Sequence, residues 1–286
     1  MSTTRPRVVL AVGHEPLGAA LDHAVQEATR LSAVLHIIHV EKIVVGGPDA
    51  MVLSQLDLEQ IGRENVDAAV ARIKELAPDL EVKVDIFVGG VVPTLAELSD
   101  GAELVVLEHR SLPRWERFIT RSVASGVAAR TSAPALSVPE GWVPAEGERI
   151  VTVGVDVPER SAPVISAGAA FARAHGAKLR VVHAWNLPPS YDGMVSAEES
   201  ERWAERSGTE VQDAVNAIEE AKGLDVVVEV RRGRPADELL DAAKDSYLVV
   251  LGRHDSLIPF GSHLGPVVRA VLRRAGCPVL VVDPRG

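Results

Sequence analysis

The chain repeats itself at one fixed offset, and this constrains its fold more than any other feature. Leu35-His36-Ile37-Ile38-His39-Val40 recurs as Leu179-Arg180-Val181-Val182-His183-Ala184. Leu104-Val105-Val106-Leu107 recurs as Leu248-Val249-Val250-Leu251, and Ala133-Pro134-Ala135-Leu136-Ser137-Val138 as Cys277-Pro278-Val279-Leu280-Val281-Val282. All three pairs lie about 144 residues apart. Unrelated apolar strands would not keep one spacing, and a period this long marks a duplicated domain rather than a solenoid. The length, 286 residues, suits two domains.

Each copy has the same order of patterns. Val8–Gly13 and Ile150–Val155 are β-branched runs, expected of strands buried on both faces. Helical patterns follow at about Gly18–Leu31 and Ala162–His175, then second strands at Val34–Val40 and Lys178–Trp185. Long helical segments span about Val52–Leu76 and Ser196–Lys222. Third strands at Val82–Val88 and Asp225–Arg231 precede short helices near Pro93 and Pro235, where a missing N–H is tolerated. Fourth strands end near Glu108 and Gly252, and a loop, a helix and a Pro-led strand close each copy. Such alternation predicts an α/β fold with a parallel sheet flanked by helices. The Pro/Gly-rich stretch from Pro139 to Gly147 breaks both periods and places the domains at 1–141 and 148–286.

Aromatic residues are only 3% of the chain against 47% hydrophobic, so the cores are aliphatic. The formal net charge of -10 disfavours nucleic acid and anionic membrane as partners. One cysteine, Cys277, rules out an internal disulfide and fits a reducing cytoplasm. The opening residues have no apolar signal-peptide run, and no stretch reaches the roughly 18 apolar residues of a membrane span. A cytoplasmic location is expected.

In open parallel sheets ligands bind at the carboxyl ends of the strands, where strand order reverses. In the second copy those ends carry Asp156, Ala184 and Gly252. The loop from Arg253 to Pro266 has glycines, hydroxyls and basic groups before the helix of about Val267–Arg274. Read alone, it is either a phosphate cradle at a helix N-terminus or a turn. Asp156 read alone is either a ligand contact or a capping aspartate.

Gly252-x2-Asp255-x9-Gly265-Pro266, followed by Cys277-Pro278-Val279-Leu280-Val281-Val282, resembles the signature of universal stress proteins. Val153-Gly154-Val155-Asp156, Val182-His183-Ala184 and Gly233-Arg234-Pro235-Ala236 also match that family, and the resemblance covers both halves. It implies two tandem Rossmann-like domains of the adenine nucleotide alpha hydrolase-like kind. Each has a five-stranded parallel sheet of order 3-2-1-4-5, and the domains pair through their last strands. It implies a nucleotide site in which Val155 and Asp156 lie under adenine and ribose, and the backbone of Ala184 meets the base. Gly252 would admit the phosphates. Gly265, Val267 and Val268 would offer N–H groups, and Arg253 and His254 would add positive charge.

Two departures from the family pattern weaken that site. The nucleotide-binding branch has glycine where Asp255 stands and Ser/Thr where Pro266 stands. Pro266 supplies neither an N–H nor a hydroxyl. Asp255 brings a negative charge that repels a phosphate about 5 Å away by roughly 3 kcal/mol at an effective dielectric near 20. Arg253, His254 and His263 are the groups able to offset it. The first copy departs further, with Glu108 for Gly252, His14 for Asp156, and Arg121-Ser122 for Gly265-Pro266. It reads as a structural partner with a degenerate site, or as a site for another ligand; Thr120, Arg121 and Ser122 either hold a simple anion or cap a helix.

No P-loop, dinucleotide fingerprint or metal-ligand spacing is present. His39 and His183 end equivalent strands, where packing or a local hydrogen bond is expected. Cys277 reads as an inert core thiol, the Arg231–Arg234 run as a solvated strand end, and Met51 and Met194 as openings of lid-like segments. The function expected is regulatory binding of an adenine nucleotide, ATP or AMP, weakly, in the second domain, without catalysis. The alternatives are a family member that binds no nucleotide and an ATP-splitting enzyme of related fold; the latter lacks its glycines after the first strand. Expected partners are the nucleotide, the internal domain pair and an unidentified protein, with a homodimer left open.

Overall fold

The computed structural model describes residues 5–13, 17–41, 55–109, 123–186, 195–253 and 264–283. The chain divides into two compact units, Met1–Trp142 and Val143–Gly286. Unit 1 runs β1 (Arg7–Val12), α1 (Ala19–Arg30), β2 (Val34–Glu41), α2 (Gln55–Leu76), β3 (Val82–Val88), α3 (Val91–Leu98), β4 (Leu104–His109), α4 (Val123–Ala128) and β5 (Ala135–Pro139). Unit 2 runs β6 (Ile150–Val155), α5 (Ala162–His175), β7 (Lys178–Trp185), α6 (Ala197–Asn216), β8 (Val226–Arg232), α7 (Pro235–Ala242), β9 (Leu248–Gly252), α8 (Pro266–Arg274) and β10 (Val279–Val282).

Within unit 1 the described strands are parallel in the order β3-β2-β1-β4-β5. Unit 2 repeats this as β8-β7-β6-β9-β10. Both are the order 3-2-1-4-5 implied by the resemblance. The register is equivalent too: Val12 pairs with His39 and Val155 with His183. The central strands are apolar throughout because both faces are covered; Val8, Val9 and Leu10 are fully buried, as are Val151 and Val153. The edge strand β3 alternates instead, with Val84, Ile86 and Val88 exposed.

Two glycines set how closely the layers of unit 2 approach. A Cβ on Gly168 of α5 would overlap the Val153 side chain of β6. On the other face, a Cβ on Gly154 would come within 2.6 Å of Leu251 Cδ2 and 3.0 Å of Leu239 Cδ2. The glycine of the Val153-Gly154-Val155-Asp156 motif is therefore a packing residue.

The second strands carry a basic residue at one equivalent position, and each is tied down differently. Arg180 of β7 is buried and donates to both carboxylate oxygens of Asp245 at 2.6 and 3.2 Å, to Thr152 Oγ1 at 3.1 Å and to the Ala242 carbonyl at 3.1 Å. His36 of β2 is also buried, with Nε2 2.8 Å from the Asp85 carboxylate. His36 is held below the ordinary histidine value of 6.5, because burial disfavours the charged ring; Lys83 and Arg7 add to this while Asp85 opposes it.

The structure departs from the sequence reading at one helix. The segment expected to run to Lys222 leaves the α-helix at Asn216 and makes a 3-10 turn at Glu219–Ala221. Ile218 there is extended, φ -89° and ψ 121°, and the break buries Ile218 and Ala221, the turn packing against α5. Helix α3 opens at Val91, two residues before Pro93, whose missing N–H still falls among the unpaired groups of a first turn.

Two outcomes are expected. Gly168→Ala should destabilise the protein by about 1–3 kcal/mol despite the better helix propensity of alanine, and Val153→Ala should relieve part of that loss. Urea unfolding of both single variants and the double variant measures the coupling; strictly additive effects would contradict the contact. Acidification should also cost stability through His36. The unfolded chain takes up this proton at a higher pH than the folded one, so the contribution is present above about 6.5 and is lost as pH falls through the window below it. Wild type should therefore lose more stability than His36→Gln between about pH 7.5 and about pH 5.5, read by the same unfolding assay.

Candidate functional site

The strand order of unit 2 reverses between β6 and β9, so their carboxyl ends border a crevice. Val155 ends β6 and is buried, and Asp156 follows it into solvent. Asp156 makes no hydrogen bond or ion pair among the described residues. It does not cap α5 either: the N-cap is Ser161, whose Oγ donates to the Val157 carbonyl at 2.7 Å. Ala184 lies one residue before the end of β7, beside Val155's register partner His183. Gly252 ends β9 opposite Val282. Asp156, Ala184 and Gly252 thus stand at the carboxyl ends of three adjacent strands, β7, β6 and β9.

Gly265 is the N-cap of α8 and Pro266 its first residue. The first helical hydrogen bond runs from the Arg269 N–H to the Gly265 carbonyl at 3.1 Å. The N–H groups of Val267 and Val268 come before it and have no intrahelical acceptor. Together with the helix dipole they form an anion-attracting end, short of one donor at Pro266.

Arg253 follows Gly252 directly at the carboxyl end of β9. Its backbone N–H bonds the Val282 carbonyl at 2.9 Å, extending the β9–β10 ladder, and its side chain is buried with Nη1 3.8 Å from the Asp283 carboxylate. His254, Asp255 and His263 lie outside the described residues, as do Met51, Met194, His14, Thr120, Arg121 and Ser122. Among the described residues no group of three or more His, Cys, Asp or Glu is placed to hold a metal ion. No described helix is long and apolar enough to cross a membrane.

The universal stress protein family profile matches residues 4–139 and again residues 148–283. The chain belongs to the universal stress protein family. A universal stress protein of Mycolicibacterium smegmatis is 28% identical over 282 residues, covering 93% of each chain. One of Mycobacterium tuberculosis is 31% identical over 238 residues, 78% of this chain and 77% of its own. The crystal structure of a universal stress protein from Archaeoglobus fulgidus matches with a TM-score of 0.66 and 15% identity over 96% of each chain, a likeness of fold.

The two universal stress units differ at the crevice. Where unit 2 has Gly252, unit 1 has Glu108 near the end of β4, and its Oε1 accepts a hydrogen bond from the Gly18 N–H at 3.1 Å. Gly18 is the N-cap of α1 and has no side chain to cap the helix itself. A carboxylate supplied by the chain therefore occupies an anion-attracting helix end in unit 1. The signal was available in the sequence, since a helix opening at glycine without Ser, Thr, Asp or Asn needs an acceptor from elsewhere.

Other residues settle into structural roles. The single thiol, Cys277, is buried, and burial pushes it up to about 12, as expected of an inert core cysteine. Arg231 is ion-paired with Glu229 at 2.6 Å and Asp241 at 3.3 Å rather than solvated. Sequence reasoning passed over Trp185, whose ring meets Trp203 edge-on at 5.9 Å and lies under the Arg232 guanidinium at 5.6 Å. Two of only four tryptophans thus meet beside the carboxyl end of β7.

Glu108→Ala should destabilise the protein by about 0.5–2 kcal/mol through loss of the α1 cap, whereas Glu108→Gln, which keeps an acceptor, should cost less. Thermal unfolding of both variants tests this; equal losses would mean that the acceptor is not what matters.

Proposed function

We propose that unit 2 binds an adenine nucleotide weakly and that the protein acts by this binding rather than by turnover. The observation that carries the reading is Asp156: an exposed carboxylate with no structural partner among the described residues, at the carboxyl end of the central strand, between Ala184 and Gly252. A carboxylate so placed accepts hydrogen bonds from a ligand's hydroxyls. The N–H groups of Val267 and Val268 supply the anion-binding end of the same crevice. The match of these positions to the nucleotide-binding signature of the family supports assigning the ligand.

The phosphate end is the weaker half. Pro266 removes a donor, Asp255 adds repulsion, and the buried Arg253 has Asp283 nearby at 3.8 Å. The affinity of this site comes from adenine and ribose, with AMP held about as well as ATP. Unit 1, with the Glu108 carboxylate on Gly18, is the structural member of the pair. Nucleotide would shift the population of the crevice loop towards one arrangement, which a protein partner reads, in the cytoplasm.

Calorimetric titration with AMP and ATP tests the reading. One site per chain and similar affinities are expected, with binding abolished by Gly265→Trp. Asp255→Gly combined with Pro266→Ser should tighten ATP more than AMP, on the order of tenfold to several hundredfold. Two equivalent sites, or a strong preference of the natural protein for ATP, would overturn it.

A further inference from the structure

We propose that β3 is a self-association edge, where two copies of this chain pair antiparallel about a two-fold axis at Val84. The proposal is independent of the nucleotide reading.

Among the described strands β3 pairs with β2 alone, which leaves its other side an edge. The ladder fixes where its backbone groups point. The Leu35 N–H bonds the Glu81 carbonyl at 2.9 Å, and the Gly89 N–H bonds the Glu41 carbonyl at 2.8 Å. Backbone direction alternates along a strand, so the odd-numbered residues from 81 to 89 face β2. Val82, Val84, Ile86 and Val88 therefore turn their N–H and C=O groups outward, with no partner among the described residues.

The side chains of these four residues share the sheet face of Ile37 and His39. In unit 2 the long helix α6 lies along β8, and the equivalent Val228 and Val230 are half-buried. In unit 1 the long helix α2 lies on β2 instead, and Val84, Ile86 and Val88 are exposed. Residues 82–88 contain no proline, and their register with β2 runs without a bulge. An unbroken edge with an open apolar face is a template for another strand.

Charge selects the occupant and the register. Lysine on an edge commonly deters pairing, but Lys83 is ion-paired with Asp85 of its own strand at 2.6 Å. A two-fold axis at Val84 sets Val84 against its own copy and Val82 against Ile86. These are hydrogen-bonded pairs, and they use the outward groups. It also sets Lys83 against Asp85 twice, in the closer, non-hydrogen-bonded kind of pair. Moving the axis by one residue sets Lys83 against Lys83 or Asp85 against Asp85, and like charges directly opposite are destabilising. Moving it to Ile86 loses both ion pairs, and moving it to Val82 leaves most of the strand unpaired. The strand is thus complementary to itself, and a two-fold contact closes at two copies.

Sedimentation of the full chain over a concentration series tests this. Wild type should form a dimer, and hydrogen exchange over 82–88 should slow as the dimer fills. Lys83→Asp should weaken the dimer on the order of tenfold or more, because both attractive pairs become repulsive. Lys83→Asp combined with Asp85→Lys reverses both charges and should restore it. Val84→Lys, at an exposed position that sits on the axis, should also dissociate it, with the unfolding midpoint of the dilute protein unchanged. Three results would overturn the proposal. Wild type could stay monomeric throughout, or its dimer could survive both Lys83→Asp and Val84→Lys. The doubly reversed chain could remain monomeric although folded. Growth beyond the dimer would likewise sink it, since an open series needs a heterologous contact.

Discussion

In both units a central parallel strand is held edge to edge by two neighbours and covered by helices on both faces. In unit 2 the layers close so tightly that Gly154 and Gly168 leave no room for a methyl group. The backbone polar groups are used sideways in the sheet and the side chains are used in packing. What remains available is the carboxyl end, where strand termini and helix N-termini converge. The candidate site lies there because the strand ends and helix N-termini leave backbone groups unpaired at one place.

The fold was legible because duplication wrote it twice. Any one apolar run, such as Leu104–Leu107, is ambiguous between strand and buried helix. Its recurrence as Leu248–Leu251, in the same order among the other elements, removes the ambiguity. Among the described residues, the segment ending at Lys222 was misjudged; it had helix-compatible charges to its end. Only the burial of Ile218 and Ala221 against α5 decides where the helix stops, and burial of that kind is not local information.

The site was legible in its backbone parts and less so in its charges. Gly252, Gly265 and the residues after Gly265 sit where the motif puts them, because a strand end and a helix start are fixed by the fold. Arg253 shows the limit. A cation beside a phosphate loop suggests phosphate binding, and nothing in the sequence signals that its side chain is buried near Asp283.

The Glu108–Gly18 contact would give the two copies different thermodynamic standing if unit 2 takes a ligand as proposed. A tethered carboxylate is present at the α1 N-terminus at a fixed effective concentration, whatever the cell contains. An external ligand stabilises its unit only as its free concentration rises past its dissociation constant. The carboxylate on Gly18 is held in place by covalent connectivity, whereas a ligand-binding unit 2 would have a stability that tracks the composition of its surroundings. Within one chain, the first would then be a reference and the second a gauge.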